Sequence, residues 1–520
     1  MSKSLYGEIP ADLQALFQEH QEQKKKAEQL PPTSTNDVLK ILGQKGQEWR
    51  DDHIKVQHHK DGTQTKITRR VPARTIANYI KEVVITAVIG DSQKETDQAP
   101  LTLYNNDTGL YSNSERLLNK MILAVDNTTN KRFRSEIESW LTIEAPSRKR
   151  EKDINLIPVG NGVYNKATNK LLPYPNMVFT SKVATNYNNE DIEEPSFNGW
   201  KFSEWLKELS DGNEAKEKLL WQLIACVIQN RFSSNVLFCL MDGGQGRTGK
   251  STFEQLLMNL VGNDNYTSLK LEEFDKGFLL AQAFGASLII GDDNNPKGYI
   301  DDGSTLKSIV TNELVLVNPK MQAPFSARFN ATIVQSMNGF PRFKDTSGGL
   351  YRRFRLIKFN HQYPDTPAGR KIKDEYIYNQ QLLEWILKKA INIPVDTIIQ
   401  TKESQTALDD IQLENDIVLS FVNNELPSLK STRLPVKFLF NLFRKYSDDN
   451  NTPTKMSRAT FTRRIKPLMA QRGWKYNKRY RPSDYFKEED AEMLKGTSYY
   501  DYNNVYKDRT NIQVVFVMES

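Results

Sequence analysis

The sequence predicts an α/β fold built on a parallel sheet, and three observations predict it. The uninterrupted apolar run VLFCL (236–240) opens directly into a glycine-rich turn and the amphipathic FEQLLMNLV, which reads as strand, loop and helix. Two further short apolar runs, SLII (287–290) and ATIV (331–334), alternate with helical stretches, as the buried strands of an α/β sheet do. The 520 residues are 38% hydrophobic and 26% charged, which suits about three or four soluble domains with real cores and is too polar for a membrane protein.

The remaining elements follow in chain order. Residues 1–30 read as a polar leading helix, ended by the prolines of QLPPTSTND. The turn-rich GDSQKETDQAP (90–100) and the polar, acidic TNYNNEDIEEPSFNG (185–199) flank a stretch of mixed short strands and helices. From Trp200 to Cys226, the residues Trp205, Leu206, Leu209, Leu219, Leu220, Leu223 and Ile224 recur at helical spacing, predicting a buried helix pair. After about residue 400 helices return, and the chain closes on the strand-like IQVVFVM. The division expected is a helical and basic region (1–95), an α/β region (96–199), the sheet-bearing region with its helical lead-in (200–400) and a C-terminal region (401–520).

Several classes are excluded. No run of eighteen apolar residues occurs, and the first thirty residues lack the basic start, apolar stretch and small-residue cleavage site of a signal peptide, so a cytoplasmic protein with no membrane partner is expected. Cys226 and Cys239 are the only cysteines, and with His20, His53, His58, His59 and His361 they assemble neither a disulfide framework nor a four-ligand zinc site.

Gly244, Gln245, Gly246, Arg247, Thr248, Gly249, Lys250 and Ser251 fit the phosphate-loop pattern GxxxxGK[ST], with Thr252 counted alongside. Glycines let backbone amides turn inward around phosphate while the next helix presents its positive end to the same anion. Lys250 is expected on the β and γ phosphates and Ser251 on Mg²⁺, with ATP as the nucleotide. Hydrolysis needs a second, acidic site, and LIIGDD supplies Asp292 for Mg²⁺ and Asp293 for the attacking water; Asp292, Asp293, Asn294 and Asn295 also suit a plain turn. Asn338, ending ATIVQSMN, is placed to sense the γ phosphate. Arg352 and Arg353 have a use across a subunit boundary, as arginine fingers do, or as surface ion-pair partners.

The net charge is +7, yet residues 431–481 alone hold fourteen Lys or Arg against two Asp, interleaved with aromatic residues. That is the electrostatic footprint of a nucleic-acid surface, although solvated basic faces share it. Within SRATFTRRIKPLMAQRGW, Phe461, Ile465, Leu468 and Met469 fall on one helical face and leave Arg458, Arg463, Arg464, Lys466 and Arg472 mostly exposed. The pattern suits the recognition helix of a winged-helix module whose wing contains KYNKRYR. Near the N-terminus, Arg69, Arg70 and Arg74 suit either a second DNA contact or a subunit contact.

The succession GQGRTGKS, LIIGDD, QSMN and LYRRFR resembles the superfamily-3 helicases, the AAA-type ring motors of small viruses, phages and mobile genetic elements. YNNDTGLY (104–111), NGVYNKATNKLLPYP (161–175) and the Trp-rich lead-in narrow it to the poxvirus and phage primase-helicase type, found also as replication initiators on plasmids and chromosomal islands. The resemblance spans roughly residues 100–480. It implies an AAA-type P-loop NTPase core, an N-terminal α/β collar and a C-terminal winged helix, a homo-hexamer using ATP and Mg²⁺, and three-prime to five-prime movement on single-stranded DNA. It also implies a DNA-touching hairpin, which LVLVNPKMQAPFSARF (314–329) matches with Lys320 at its tip, and it favours Arg353 over Arg352 as the finger. The acidic pair is Asp-Asp where AAA motors commonly carry Asp-Glu. The function expected is an ATP-dependent DNA helicase and replication initiator acting on single- and double-stranded DNA at an origin. The alternatives are a non-motor, ATP-switched origin binder and a small-molecule P-loop kinase.

Overall fold

The computed structural model describes residues 34–58, 64–174, 177–229, 235–244, 246–296, 299–300, 303–320, 324–343, 348–450, 454–480, 486–500 and 513–518. The leading helix expected over 1–30, Gln245 of the glycine loop and Arg481 therefore lie outside the described residues. The chain divides into two compact units, one running to Pro341 and resuming over Arg352–Thr401, the other made of Arg342–Tyr351 with the chain from Lys402 onward.

The first unit begins with the helix Thr35–Asp52, whose start is fixed by a reciprocal capping box between Ser34 and Asp37. It packs with the helices Ala73–Val83, Glu115–Val125 and Lys131–Glu144 through Leu42, Ile76, Ile80, Ile122, Ile137 and Leu141. The strand Thr86–Ile89 pairs antiparallel with Leu101–Asn105, and that strand in turn with Leu110–Ser112. The boundary expected at 95/96 is corrected here. It falls inside a helix, Gln93–Gln98, capped by the Ser92 side chain, and it would separate two hydrogen-bonded strands that share one core.

A three-stranded antiparallel sheet (Leu156–Val159, Gly162–Asn165, Lys170–Leu172) follows, then the buried helix pair Phe202–Leu209 and Glu214–Ile228. The centre is a five-stranded parallel sheet. Its strands run in the spatial order Tyr266–Ser268, Leu288–Asn294, Thr332–Met337, Leu237–Met241, Phe354–Lys358. The glycine-loop strand Leu237–Met241 is thus flanked by the asparagine strand and the outer strand, and the asparagine strand lies between it and the acidic strand. Leu237, Phe238, Cys239 and Leu240 are fully buried, and at about 1.5–3 kcal/mol for each large apolar side chain their burial fixes the strand that carries the loop. Both cysteines are buried.

In the second unit, from Lys402 onward, the order is helix Lys402–Asn415, helix Ile417–Glu425, strand Arg433–Pro435, helix Val436–Asp449, helix Arg458–Ala470, strand Trp474–Tyr480, the short helix Glu488–Glu492 and strand Gln513–Met518. The last strand lies between the other two in an antiparallel sheet, and Phe421, Phe443, Phe461, Ile465 and Phe516 build the core. KYNKRYR, expected in a wing, forms most of the strand Trp474–Tyr480. Among the described residues no helix is long and apolar enough to cross a membrane.

Candidate functional site

The glycine loop leaves the C-terminal end of its strand at Met241 and enters the helix Lys250–Val261. Gly244, Gly246 and Gly249 all adopt positive φ, and a Cβ on Gly249 would lie 2.8 Å from Leu209 Cδ2, so the loop packs against the lead-in helix only without a side chain there. Arg247 shares the left-handed conformation, with φ of 52°.

Lys250 is the centre of the site. Its Nζ donates to Asn338 Oδ1 at 3.3 Å and lies 3.4 Å from Asp242 Oδ2, with only 9% and 8% of the two charged side chains exposed. Asp242 Oδ1 also accepts from Gly244 N at 3.0 Å. The carboxylate therefore supplies negative charge to both the lysine and the loop amide. The structure thus brings Lys250 and Asn338 together and adds Asp242, which no spacing rule marks.

Asp292 and Asp293 emerge from a bulge. The acidic strand breaks register with the asparagine strand between Gly291 and Asn294, Asp293 takes φ of 50°, and both carboxylates are exposed. The buried Asn294 pins the bulge: its Nδ2 donates to Gly291 O, Gln335 Oε1 and Ser336 O at 3.0 Å, and its Oδ1 accepts from Leu271 N at 2.8 Å. A Cβ on Gly291 would sit 2.0 Å from Gln335 Oε1, so glycine is required there. The segment stays in its strand through Asn294, so Asp292 and Asp293 sit on a bulge and not in a plain turn.

Glu254, one helical turn beyond Lys250, was not legible as a site residue. It is buried, and burial with the added repulsion of Asp292 pushes its carboxyl up to about 8 against the opposing pull of Lys250.

A cavity of about 760 Å³ opens from the loop. Its wall combines Gly246–Thr252 and Asn338 with an aromatic group, Phe197, Trp200, Trp205, Tyr363 and Tyr376, and with Arg370 and Lys373. Phe197 and Trp200 face one another across a backbone bridge, and Tyr376 stacks on Phe197 at 4.8 Å. The acidic linker expected over 185–199 therefore ends in a platform for this cavity. Arg370 Nε donates to Asp365 Oδ1 at 3.0 Å, and this bond holds the Asp365 carboxyl below its usual range.

The cavity suits a nucleoside triphosphate. Positive-φ glycines, a buried lysine and the buried Thr248 hydroxyl, unpartnered among the described residues, line it together with the aromatic side chains, of which Trp205 and Tyr363 lie beside Gly249. Ser251 and Asp292 are exposed oxygen donors of the kind Mg²⁺ takes when it arrives with phosphates. Thr252, also counted with the loop, is half-buried.

Arg353 lies elsewhere. It precedes the outer strand, and Phe354 pairs with Leu237, the first residue of the glycine-loop strand. At about 3.3 Å per residue, the strand's length separates Arg353 from its own chain's loop. The Arg352 cation and burial lower its affinity for a proton, and Glu313 opposes them. The hairpin expected around Lys320 is formed by Val315–Val317 and Phe325–Ala327, with the Lys320 Nζ 4.6 Å from the Phe278 ring centre.

The basic face expected on Arg458–Ala470 is only partly available. Arg458 and Arg463 are exposed. Arg464 instead pairs with Asp416 at 2.7 Å, Lys466 sits 3.6 Å from the Tyr476 ring centre, and Arg472 donates to Leu468 O and Asn423 Oδ1. Those three, expected to be mostly exposed, are half-buried and engaged within their own unit. Leu468 is half-buried, while Phe461, Ile465 and Met469 are fully buried.

Residues 241–353 match a family of unknown function, DUF5906, and residues 413–508 match a family described as Poxvirus D5 protein-like. Solved structures similar to this chain include three of the apo NrS-1 C-terminal region. The first is 13% identical with a TM-score of 0.43, covering 84% of this chain and 97% of that one. The others are 12% identical, at 0.45 with 87% and 100% covered and at 0.44 with 86% and 100% covered.

Proposed function

We propose that the chain is an ATP-dependent DNA helicase of the superfamily-3, AAA type that assembles as a ring, a hexamer by resemblance, and initiates replication of a phage or mobile genetic element. The observation that carries this reading is the buried Lys250 between Asp242 and Asn338, lining a cavity that five aromatic side chains also line. Binding of the triphosphate lets Lys250 exchange Asp242 for phosphate oxygens, while the inward-turned amides of Gly244–Gly249 hold the same anion. Trp200 and Tyr376 offer their faces to the base. Ser251 and Asp292 would hold Mg²⁺, which would supply neutralisation of phosphate charge. Asp293, lifted out by the bulge, orients the attacking water, and Asn338 exchanges Lys250 for the γ phosphate and so reports its presence.

Arg353 stands at the opposite end of the sheet from its own loop, which supports a role on the nucleotide of a neighbouring subunit. Lys320 at a hairpin tip suits a moving contact with phosphate. In the second unit the run strand, helix, helix, strand over Arg433–Tyr480, closed by the strand Gln513–Met518, supports a winged-helix module, with Arg458 and Arg463 toward duplex DNA. The first unit's helical and sheet region over 34–172 is read as the collar.

The test is ATP hydrolysis with and without DNA, alongside displacement of a labelled strand from a fork. DNA-stimulated hydrolysis with displacement is expected. Hydrolysis without displacement would reduce the motor to an ATP switch, and transfer of phosphate to a small molecule would overturn the reading.

A further inference from the structure

Next to the N-terminal helices stands a two-stranded antiparallel ribbon, Lys55–His58 with Gln64–Ile67, that pairs with no other strand among the described residues. An isolated two-stranded hairpin is only marginally stable in water, so its retention calls for a built root and a partner. The root is present. Arg50, in the last turn of the helix Thr35–Asp52, donates to Val125 O at 2.6 Å, and His53 stacks on Trp49. On the return side, Val71 N donates to the buried Asp126 carboxylate at 3.0 Å, and Arg70 Nη2 to Thr128 O at 3.0 Å. Both ends of the ribbon are therefore clamped to the same short stretch, residues 125–128.

Beyond that root the ribbon is solvent-facing and basic. Lys55, Val56, Gln57, Gln64, Thr65, Lys66 and Arg69 are all exposed. Between His53 and Arg74 the sequence holds six Lys or Arg against one Asp. Arg70 and Arg74 lie over the rings of Phe133 and Trp140, at 5.1 and 5.2 Å, and Arg74 also stands 3.9 Å from the Glu144 carboxylate, so at the base of the ribbon Arg70 carries the positive charge onward. Two strands about 4.8 Å apart fit the major groove of B-form DNA, about 12 Å wide, which admits a β-ribbon as readily as a helix. Lysines on both strands also oppose the edge-to-edge addition of another chain.

We propose that this ribbon is a duplex-DNA contact, placed by Lys55, Lys66 and Arg69 on backbone phosphates and separate from the C-terminal unit. It goes beyond the motor assignment and does not depend on nucleotide binding. Sequence alone left Arg69, Arg70 and Arg74 between a DNA and a subunit contact; the ribbon's shape and charge favour DNA.

The experiment titrates the full-length chain against a labelled random duplex by fluorescence anisotropy over a salt series. Lys55→Ala, Lys66→Ala and Arg69→Ala combined should weaken duplex binding roughly tenfold near 0.15 M salt and lower the log–log salt slope by about 3, one for each lost phosphate contact. The charge-keeping set Lys55→Arg, Lys66→Arg and Arg69→Lys should restore most of the affinity. Thermal unfolding unchanged in both sets confirms an intact root. Combined with Arg458→Ala and Arg463→Ala, the losses should multiply, since sites without shared partners contribute independently. Unchanged duplex affinity and slope overturn the proposal. So does a fall in sedimenting mass with duplex affinity intact, which would make the ribbon a subunit contact, or an equal loss on single-stranded DNA alone.

Discussion

The cations of the glycine loop and those of the helix Arg458–Ala470 are held in opposite ways. Lys250 is buried, yet it has partners in Asp242 and Asn338 that a polyanion can replace. Arg458 and Arg463 lie in water, where each adds charge and little else. Removing a cation from the first place disables one chemical step and leaves a buried carboxylate without its partner. Removing one from the second changes only a sum. The difference teaches that burial and exchangeable partners, not charge density, mark a catalytic cation.

The largest expected effect follows from that contrast. Lys250→Ala should lower ATP turnover by roughly a hundredfold to a thousandfold or more, because the charge it supplies acts on the transferring phosphate in a partly dry site. Asp293→Asn should bind nucleotide with little change and hydrolyse it slowly. Steady-state hydrolysis and equilibrium nucleotide binding on both variants check the split.

A smaller effect divides two neighbours on one helix. Asp416 accepts from Val418 N and Leu419 N at the start of the helix Ile417–Glu425 and pairs with Arg464. Arg464→Ala should therefore cost about 1 kcal/mol of stability, discounted for its partial exposure. Arg463→Ala should leave the melting temperature unchanged and reduce the salt slope of duplex binding by about 1. Point variants suit this comparison better than truncation near residue 415, since Arg342–Tyr351 belongs to the same compact unit and would lose its companion.

Glu254 sharpens the buried side of the contrast. Its carboxyl ionises near 4.5 when unfolded and near 8 when folded, so between those values the unfolded chain has released a proton that the native chain keeps. Stability at this residue therefore falls as pH rises through that window and is level above it. Glu254→Gln removes the penalty. Measured without nucleotide or Mg²⁺, its unfolding free energy should exceed that of the natural chain by a margin that grows from about pH 5 to pH 8, reaching on the order of a few kcal/mol.

The parts of the site that chain neighbours create were legible beforehand. Gly244–Ser251, the acidic strand's end, Asn338 and the Lys320 hairpin each rest on a local pattern of strand, turn and charge. Asp242, Glu254, Asn294 with Gln335, and the aromatic wall were not, because their meaning arises from segments far apart in sequence that meet only in the fold. Phe197 and Trp200 come before the sheet and Tyr363 and Tyr376 after its last strand. The same reason explains the overcounted basic face. Whether Arg464, Lys466 and Arg472 serve DNA or their own unit depends on Asp416, Tyr476 and Asn423, which no helical periodicity reveals. The boundary at 95/96 failed because polar, turn-forming residues also make a short capped helix.

The most direct test of a ring motor with shared sites mixes two inactive variants, Lys250→Ala and Arg353→Ala. Each alone should bind other subunits and hydrolyse almost nothing. If Lys250 of one subunit works with Arg353 of the next, some interfaces in mixed rings carry both natural residues, and ATP hydrolysis should return on mixing. Verified mixed rings that stay inactive would contradict shared sites, and full activity of Arg353→Ala alone would remove that arginine from the chemistry.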